Sequence, residues 1–173
     1  MKPVAPNLAL ALAVTVAALA GCAQLDPQQA ALSSGIAPTE VEWARKPGRN
    51  TVSGTASLRD GATIRTCAGT SANLIPDTAY ARARMTAIFG NATRGTRAAS
   101  RGPVKFERDD PLYVSSLRSA RCDTAGSFSF PGVPDGVWYV TASVKWGQDQ
   151  TDGSSMMQRI DVQGGRLMKV TLP

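Results

Sequence analysis

Residues 138–146 read WYVTASVKW, and this stretch alternates apolar side chains with Tyr139 and three polar residues. Successive side chains of a β-strand point to opposite faces of its sheet, so strict alternation is typical of a strand with one face in a hydrophobic core. We therefore predict a strand whose core face runs from Trp138 to Trp146, with Tyr139 on the opposite face.

Turn residues divide the sequence on both sides of this stretch into further short strands. Asp60-Gly61 predicts a hairpin within residues 52–67, and Gln163-Gly164-Gly165 predicts a second hairpin within residues 156–172. A strand over residues 71–75 ends at Pro76, because proline cannot continue the hydrogen-bond ladder.

Residues 113–130 predict another pair of strands. Residues 113–122 have a strand pattern, Asp123-Thr124-Ala125-Gly126 supplies a turn, and the return strand places Phe128 and Phe130 on one face. About seven short strands with frequent turns predict an all-β protein, a seven-stranded antiparallel, immunoglobulin-like sandwich. A small closed barrel is the alternative that the pattern leaves open.

One short helix interrupts the strands. Asp77 or Thr78 can cap its first turn, Ala81 and Met85 share a face, and Gly90 ends it.

A long basic loop follows over residues 90–111, in a chain whose formal net charge is +6. Scattered arginines among small residues usually form a solvated loop, but a positive patch can also attract an anionic ligand such as lipopolysaccharide or an acidic glycan. Nucleic acid is not an expected partner, since no aromatic residue is interleaved with these cations before Phe106. The candidate contacts for an anionic ligand are Arg94, Arg97, Arg101, Lys105 and Arg108.

The N-terminus has the pattern of an export signal. Lys2 precedes a short apolar run that ends in Leu19-Ala20-Gly21-Cys22. This end resembles the lipobox of bacterial lipoproteins, in which the cysteine thiol is acylated and the chain is cut before it. The resemblance implies a lipidated Cys22 that anchors the protein to a membrane. The alternative is an uncleaved signal anchor with an ordinary thiol at Cys22.

The predicted organisation is a signal peptide over residues 1–21, a flexible tether over residues 22–50 and one β-sandwich domain over residues 51–173. The tether prediction depends on a composition rich in Ala, Gln, Ser, Pro and Gly, which buries little apolar area. In bacterial lipoproteins an Asp after the lipidated Cys retains the protein at the inner membrane. Ala23 stands at that position, so the resemblance implies the cell envelope at the periplasmic face of the outer membrane.

Export would also favour a disulfide between the two remaining cysteines. Cys67 and Cys122 form an even pair, and oxidising compartments favour disulfides, so we predict that they are bonded. Two buried free thiols are the alternative.

Two stretches in the C-terminal half of the chain resemble the carboxypeptidase regulatory-like domain, a transthyretin-like sandwich. They are residues 122–130, CDTAGSFSF, and residues 133–140, VPDGVWYV, with Trp138 where the family usually has Tyr. Val52-Ser53-Gly54-Thr55-Ala56 matches the opening strand of that family. The resemblance implies a transthyretin-like, seven-stranded sandwich that acts as a non-catalytic binding or spacer module.

The chain has no histidine, which removes the common Ser-His-Asp, Cys-His and His-based zinc sites. Asp109-Asp110, or Asp123 with Asp135, could serve a cryptic hydrolase, but Asp beside Gly or Pro is usually turn chemistry. The stretch Asp149 to Asp152 lacks the EF-hand spacing. We therefore expect no enzymatic activity, no cofactor and no metal.

These observations favour a lipid-anchored, non-catalytic envelope lipoprotein whose sandwich contacts a protein or a glycan. The alternative function is an anionic-ligand binder that acts through the Arg94 to Arg108 loop. Four aromatic residues could also floor a sugar groove, although their alternation places them in the core first: Trp138, Trp146, Phe128 and Phe130.

Overall fold

The computed structural model describes residues 26–172, so the predicted signal peptide and Cys22 lie outside the described residues. The α-helices are α1 (Pro27–Ser34), α2 (Pro38–Arg45), α3 (Ala79–Phe89) and α4 (Pro111–Ser116), and Ala99–Arg101 form a 3-10 turn. The strands are β1 (Asn50–Thr55), β2 (Ser57–Asp60), β3 (Thr63–Thr66), β4 (Ser71–Pro76), β5 (Arg94–Ala98), β6 (Arg118–Arg121), β7 (Ser127–Val133), β8 (Gly136–Trp146), β9 (Asp152–Val162) and β10 (Leu167–Thr171).

The strands form a small sheet in the order β10-β1-β7, a large sheet in the order β5-β9-β8-β4-β6, and the separate hairpin β2-β3. The fold is mostly β and sandwich-like, but within residues 26–172 it has ten strands and four α-helices, not seven strands and one helix. The expected antiparallel pairing also fails at one place, because β1 and β10 are parallel.

One hydrophobic core joins the two larger sheets. Trp138, Val140 and Val144 of β8 are fully buried and pack in one cluster with Phe128 and Phe130 of β7. The predicted core face of β8 is therefore confirmed, and so is the predicted core position of the two phenylalanines.

A second core covers the other face of the large sheet, which corrects the prediction for Tyr139. That side chain is fully buried, together with Met157 of β9, beneath helix residues such as Tyr80 and Met85 of α3. The polar face of the alternating strand is thus closed by helices at one end of the strand, and only its later residues remain more accessible.

The N-terminal segment (residues 26–46) is helical where the sequence predicted a flexible tether. Its few apolar side chains suffice to attach it, because Val41 and Ala44 of α2 are buried and Trp43 packs on Trp138. Arg118 also donates hydrogen bonds to the backbone carbonyl of Ala44 (2.9 Å) and of Lys46 (3.4 Å).

Three further local predictions need correction. Residues 113–116, predicted as the start of a strand, belong to α4, because Asp110 accepts hydrogen bonds from the first-turn amides of Leu112 and Tyr113. The basic loop contains strand β5, which pairs with β9. Residues 163–165 do not close a hairpin; they carry the chain from β9 in the large sheet to β10 in the small one.

Other local predictions are confirmed. Thr78 caps α3 by accepting from the amide of Ala81, and Gly90 ends the helix in the left-handed conformation. β2 and β3 pair around Asp60-Gly61. Cys67 and Cys122 form a disulfide with their Cα atoms 5.7 Å apart.

Candidate functional site

An open groove of about 780 Å³ lies on the helical side of the molecule. We call it the α1–α3 groove, because α1 forms one wall, α3 contributes to its base, and residues 104–108 form the opposite wall. Its lining includes Gln28, Gln29, Leu32 and Ser33 of α1, Tyr80 and Ala87 of α3, and Val104, Lys105, Phe106, Glu107, Arg108 and Asp110.

Helix α1 presents amide and hydroxyl groups to the groove. Asp26 begins the helix by accepting a hydrogen bond from the amide of Gln28 (2.8 Å), and Pro27 occupies the first helical position, where no amide hydrogen is needed. The Gln28 side chain donates to the carbonyl of Ala83 in α3 (3.3 Å), and Leu32 packs against the second core. This wall is therefore fixed to α3.

Phe106 is the aromatic residue of the opposite wall, and it stacks on Arg84. The guanidinium carbon of Arg84 lies 3.9 Å from the centre of the Phe106 ring, 4.7 Å from that of Tyr113 and 5.7 Å from that of Tyr80. Such cation–π contacts stabilise the ring position by about 0.5–2 kcal/mol each. The stack fixes the position of Phe106, which lines the groove.

Arg84 also makes polar contacts in this stack. It donates to the carboxylate of Asp109 and to the hydroxyl of Tyr80 (3.2 Å), whereas its buried Nε has no partner among the described residues. Burial disfavours the charged guanidinium, but the hydrogen bonds and the nearby acidic groups outweigh burial and raise the pKa of Arg84. The side chain thus remains a cation at physiological pH.

The Tyr80 hydroxyl ties the groove wall to α3. It donates to the carbonyl of Arg108 (3.2 Å) and accepts from the amide of Asp110 (3.1 Å). The Asp110 carboxylate in turn accepts from the amide of Ile36 (3.2 Å) in the N-terminal segment. These bonds join the groove's two walls through one buried tyrosine and one carboxylate.

The charges along the groove are balanced. Lys105 and Arg108 contribute two positive charges, and Glu107 and Asp110 contribute two negative ones. Because the Asp110 carboxylate is already hydrogen-bonded to backbone amides, the groove surface is polar with no strong excess of either sign.

The structure separates the five basic residues that were candidates for an anionic ligand. Lys105 and Arg108 line the groove. Arg97 instead bonds to backbone carbonyls of its own surroundings, among them Arg101 (3.2 Å) and Gly102. Arg94 and Arg101 are exposed and lie outside the groove lining. Two of the five predicted contacts therefore line the groove, and the other three do not.

The candidate carboxylates have local structural partners. Asp123 accepts from the amides of Ala125 and Ser127 in its own turn, as turn chemistry predicts. Asp135 accepts from the side chain of Asn50 and the amide of Gly164. Asp123 and Asp135 thus each accept hydrogen bonds that fix their own local structure.

Within residues 26–172 no three acidic, cysteine or histidine side chains are grouped as metal ligands would be. No helix in that part of the chain is both long and apolar enough to cross a membrane.

A smaller depression of about 370 Å³ lies where the chain passes from β9 to β10. Its lining includes Asn50, whose side chain donates to the carbonyl of Val133 and accepts from the amide of Arg166. These bonds fix the crossover between the two sheets, so we interpret this depression as a consequence of the fold.

The sequence did not identify the groove as a site. Of the aromatic residues considered for a sugar groove, Trp138, Phe128 and Phe130 are in the core, and the half-buried Trp146 packs against it. The aromatic residues that line the groove are Phe106 and Tyr80. The one sequence signal of Phe106 is its position as the lone aromatic residue among the cations of residues 90–111.

Comparison with known proteins gives a structural similarity. No protein-family model matches the chain, and no curated protein matches it. Among solved structures, the chain is similar to a protein of Pseudomonas aeruginosa described as a "putative carbohydrate binding protein", with a TM-score of 0.64 and 24% sequence identity. The match covers 79% of this chain and 96% of that one, and at this identity it shows a shared fold.

Proposed function

We propose that this protein is a lipid-anchored, non-catalytic envelope lipoprotein that contacts glycans through the α1–α3 groove. The observation that carries the proposal is an open polar groove lined by two aromatic residues, Phe106 and Tyr80. A glycan ligand also agrees with the description of the Pseudomonas aeruginosa protein of similar fold as a carbohydrate-binding protein.

The chemistry of the groove suits a sugar. Hydroxyl groups of a sugar need donors and acceptors: the side-chain amide of Gln29 supplies both, whereas Gln28, which donates to Ala83, and Ser33, whose hydroxyl donates to the carbonyl of Gln29, supply their side-chain oxygens as acceptors. The C–H face of a sugar ring packs on an aromatic face, and Phe106 offers one. Because Arg84 stacks on Phe106 and Tyr80 bonds the adjacent backbone, little ordering entropy is lost on binding.

The remaining parts of the proposal follow from sequence resemblance. A lipidated Cys22 would anchor the protein in the cell envelope, at the periplasmic face of the outer membrane. The resemblance to carboxypeptidase regulatory-like domains supports a binding role without catalysis.

The alternative is an anionic ligand held by the field of the basic residues. Lys105 and Arg108 favour it, but Glu107 and Asp110 in the same groove oppose it. The two functions differ in salt dependence, because attraction between exposed charges weakens as salt rises, whereas stacking and neutral hydrogen bonds do not.

The test is calorimetric titration of the protein without residues 1–22 with oligosaccharides released from the host's envelope glycans. Phe106→Leu removes the aromatic face and keeps an apolar side chain, and we expect it to weaken binding about threefold to tenfold, corresponding to ~0.5–1.5 kcal/mol. Thermal unfolding of the variant checks that the wall remains folded.

The matched control is the double variant Arg94→Ser/Arg101→Ser, which removes two exposed cations outside the groove. The glycan proposal predicts unchanged affinity and little salt dependence. Affinity that falls in this control and declines steeply with salt would instead support the anionic-ligand function.

A further inference from the structure

Arg84 contacts both aromatic residues of the groove lining, Phe106 and Tyr80, and lies outside that lining. It belongs to α3, whose residues Tyr80, Ala81 and Met85 are buried in the second core. A side chain on such a firmly packed helix has a fixed origin. Arg84 can therefore transfer the position of α3 to the groove wall that it contacts.

The wall opposite α1 has little backbone support of its own. Residues 102–110 contain no helix and no strand. Hydrogen bonds join its backbone to the rest of the domain at Gly102, at one end, and at Arg108 and Asp110, at the other. Among the described residues, none reaches the backbone of residues 103–107. The position of the aromatic ring in this wall therefore depends on side-chain contacts.

The strongest of these contacts is the stack of Arg84 on Phe106. The guanidinium carbon lies 3.9 Å from the ring centre, which is closer than van der Waals contact at the ring edge would allow, so it lies over a ring face. Tyr113 and Asp109 hold the guanidinium from other directions, and the Arg84 side chain is only 11% exposed. Phe106 can thus offer a ligand only its opposite face.

This arrangement requires a planar guanidinium. A lysine ammonium has the same charge, but it has no flat face to stack on a ring and it is more strongly hydrated. The buried Nε of Arg84 has no hydrogen-bond partner among the described residues, and a buried donor without an acceptor costs free energy. The contacts with the aromatic rings offset that cost, which a lysine stem would not need.

We propose that Arg84 is the positioning residue of the groove, and that it holds Phe106 so that one ring face packs on the C–H face of a sugar. This inference rests on the proposed glycan function and adds a residue that sets the affinity from outside the groove. Arg84 acts through Phe106 and does not touch the ligand. Because the stack occupies one face of Phe106, this ring binds a single sugar face.

The first test needs no ligand and uses the protein without residues 1–22, since both cores lie within residues 26–172. Arg84→Lys keeps the charge and removes the planar stack. The matched control, Arg82→Lys, makes the same exchange on the same helix, at a half-exposed residue outside the groove lining. Thermal unfolding checks that each variant is folded.

Amide nitrogen relaxation then measures the order of residues 104–108. We expect order parameters of about 0.85 in the wild type and in Arg82→Lys, which is typical of a rigid backbone, and values below about 0.6 in Arg84→Lys. Order parameters that stay unchanged in Arg84→Lys would overturn the inference.

The second test links Arg84 to the ligand through a double-variant cycle, with oligosaccharides released from the host's envelope glycans as the probe. Arg84→Lys should weaken binding about threefold to tenfold, as Phe106→Leu does. The double variant Arg84→Lys/Phe106→Leu should bind no more weakly than Phe106→Leu alone, because the first residue acts through the second. Arg82→Lys should bind as the wild type does.

The outcomes separate the inference from the proposed function. If Phe106→Leu weakens binding and Arg84→Lys does not, or if the two losses simply add, the inference fails and the glycan function stands. Losses that add are the result expected of a residue that only stabilises the fold. If the wild type binds none of the oligosaccharides, the glycan function fails, and the role of Arg84 in binding fails with it.

Discussion

The indole ring of Trp43 meets that of Trp138 edge to face, with the ring centroids 5.0 Å apart and the ring planes at 70°. Trp138 is fully buried in the core between the sheets, so this contact joins the N-terminal segment to the most buried part of the sandwich. A Cβ atom on Gly136 would lie 2.3 Å from the Trp43 ring, which shows how closely the ring approaches β8.

Trp43→Ala should therefore release the N-terminal segment. Because Trp43 is half-buried, we expect a loss of about 3 kcal/mol in the free energy of unfolding, at the low end for tryptophan truncation. Urea denaturation measures the loss, and limited proteolysis should cut within residues 26–46 faster than in the wild type. Val114→Ala, at an exposed apolar residue of α4, is the control and should change little. An unchanged proteolysis rate in Trp43→Ala would contradict the attachment described above.

The disulfide should contribute strongly to stability. Cys67 and Cys122 are separated by 55 residues, and closing a loop of that length stabilises a fold by about 4 kcal/mol on the chain-entropy model. Cys67→Ala/Cys122→Ala should lower the free energy of unfolding by about that amount in urea denaturation. The reduced wild-type protein should behave like this variant; a reduced protein as stable as the oxidised one would argue against the bond's role.

The loop between β8 and β9 contains a site where glycine should stabilise the fold. Asp149 and Gln150 both have φ of 54°, a left-handed conformation that costs a residue with a Cβ about 1–2 kcal/mol. Part of that gain is offset by the extra freedom that glycine adds to the unfolded chain. We expect Gln150→Gly to raise the free energy of unfolding by about 0.5–1 kcal/mol. Gln150→Ala keeps the Cβ and should give no such gain; equal effects of the two variants would show that the conformation is not the cause.

Tyr139 should make stability depend on pH in the alkaline range. Burial, and then the nearby Asp77 carboxylate, raise the pKa of Tyr139 above its ordinary value of 10.0, while Arg82 and Arg159 oppose the shift. The folded state thus keeps the proton that the unfolded chain releases near pH 10.0, so this contribution is fully present below that pH and is lost as the pH rises further.

Urea denaturation across this pH range checks the sign. Tyr139→Phe should cost about 1 kcal/mol at neutral pH, because the hydroxyl donates to the carbonyl of Ala92 at 3.0 Å. Above pH 10.0 its stability should fall less steeply than that of the wild type. A steeper loss of stability above pH 10.0 in the variant than in the wild type would contradict the assignment of this pH dependence to Tyr139. Tyr113, whose pKa burial also raises, accounts for part of the decline that remains.

The features predicted correctly from the sequence depend on local chemistry. The alternation of β8, the Thr78 cap of α3 with its Gly90 end, and the turn at Asp60-Gly61 each need only neighbouring residues. The disulfide was predictable because the N-terminus has the pattern of an export signal, export favours oxidised cysteines, and Cys67 and Cys122 are the two cysteines that the lipobox resemblance leaves over.

The helices α1, α2 and α4 were not predicted, although the sequence contains start signals for them. Pro27, Pro38 and Pro111 each occupy the start of a helix, where proline is favoured, and Asp26 and Asp110 precede two of them as caps. Low apolar content suggested a tether, but docking on a preformed domain needs only a few buried side chains.

The remaining differences depend on long-range packing. Tyr139 is buried by helices that are distant from it in sequence. The parallel pairing of β1 with β10 joins the first and the last strand of the fold. The groove is likewise assembled from three separate stretches, so no single stretch of sequence contained its pattern.

The most direct test of the glycan function is amide chemical-shift mapping of the protein without residues 1–22 during titration with oligosaccharides released from the host's envelope glycans. The account predicts that the largest shifts occur in the α1–α3 groove, at Gln28, Gln29, Ser33 and residues 104–108, and that Phe106→Leu reduces them. Shifts concentrated around Arg94 and Arg101 or at the β9–β10 crossover, with the groove unchanged, would contradict it.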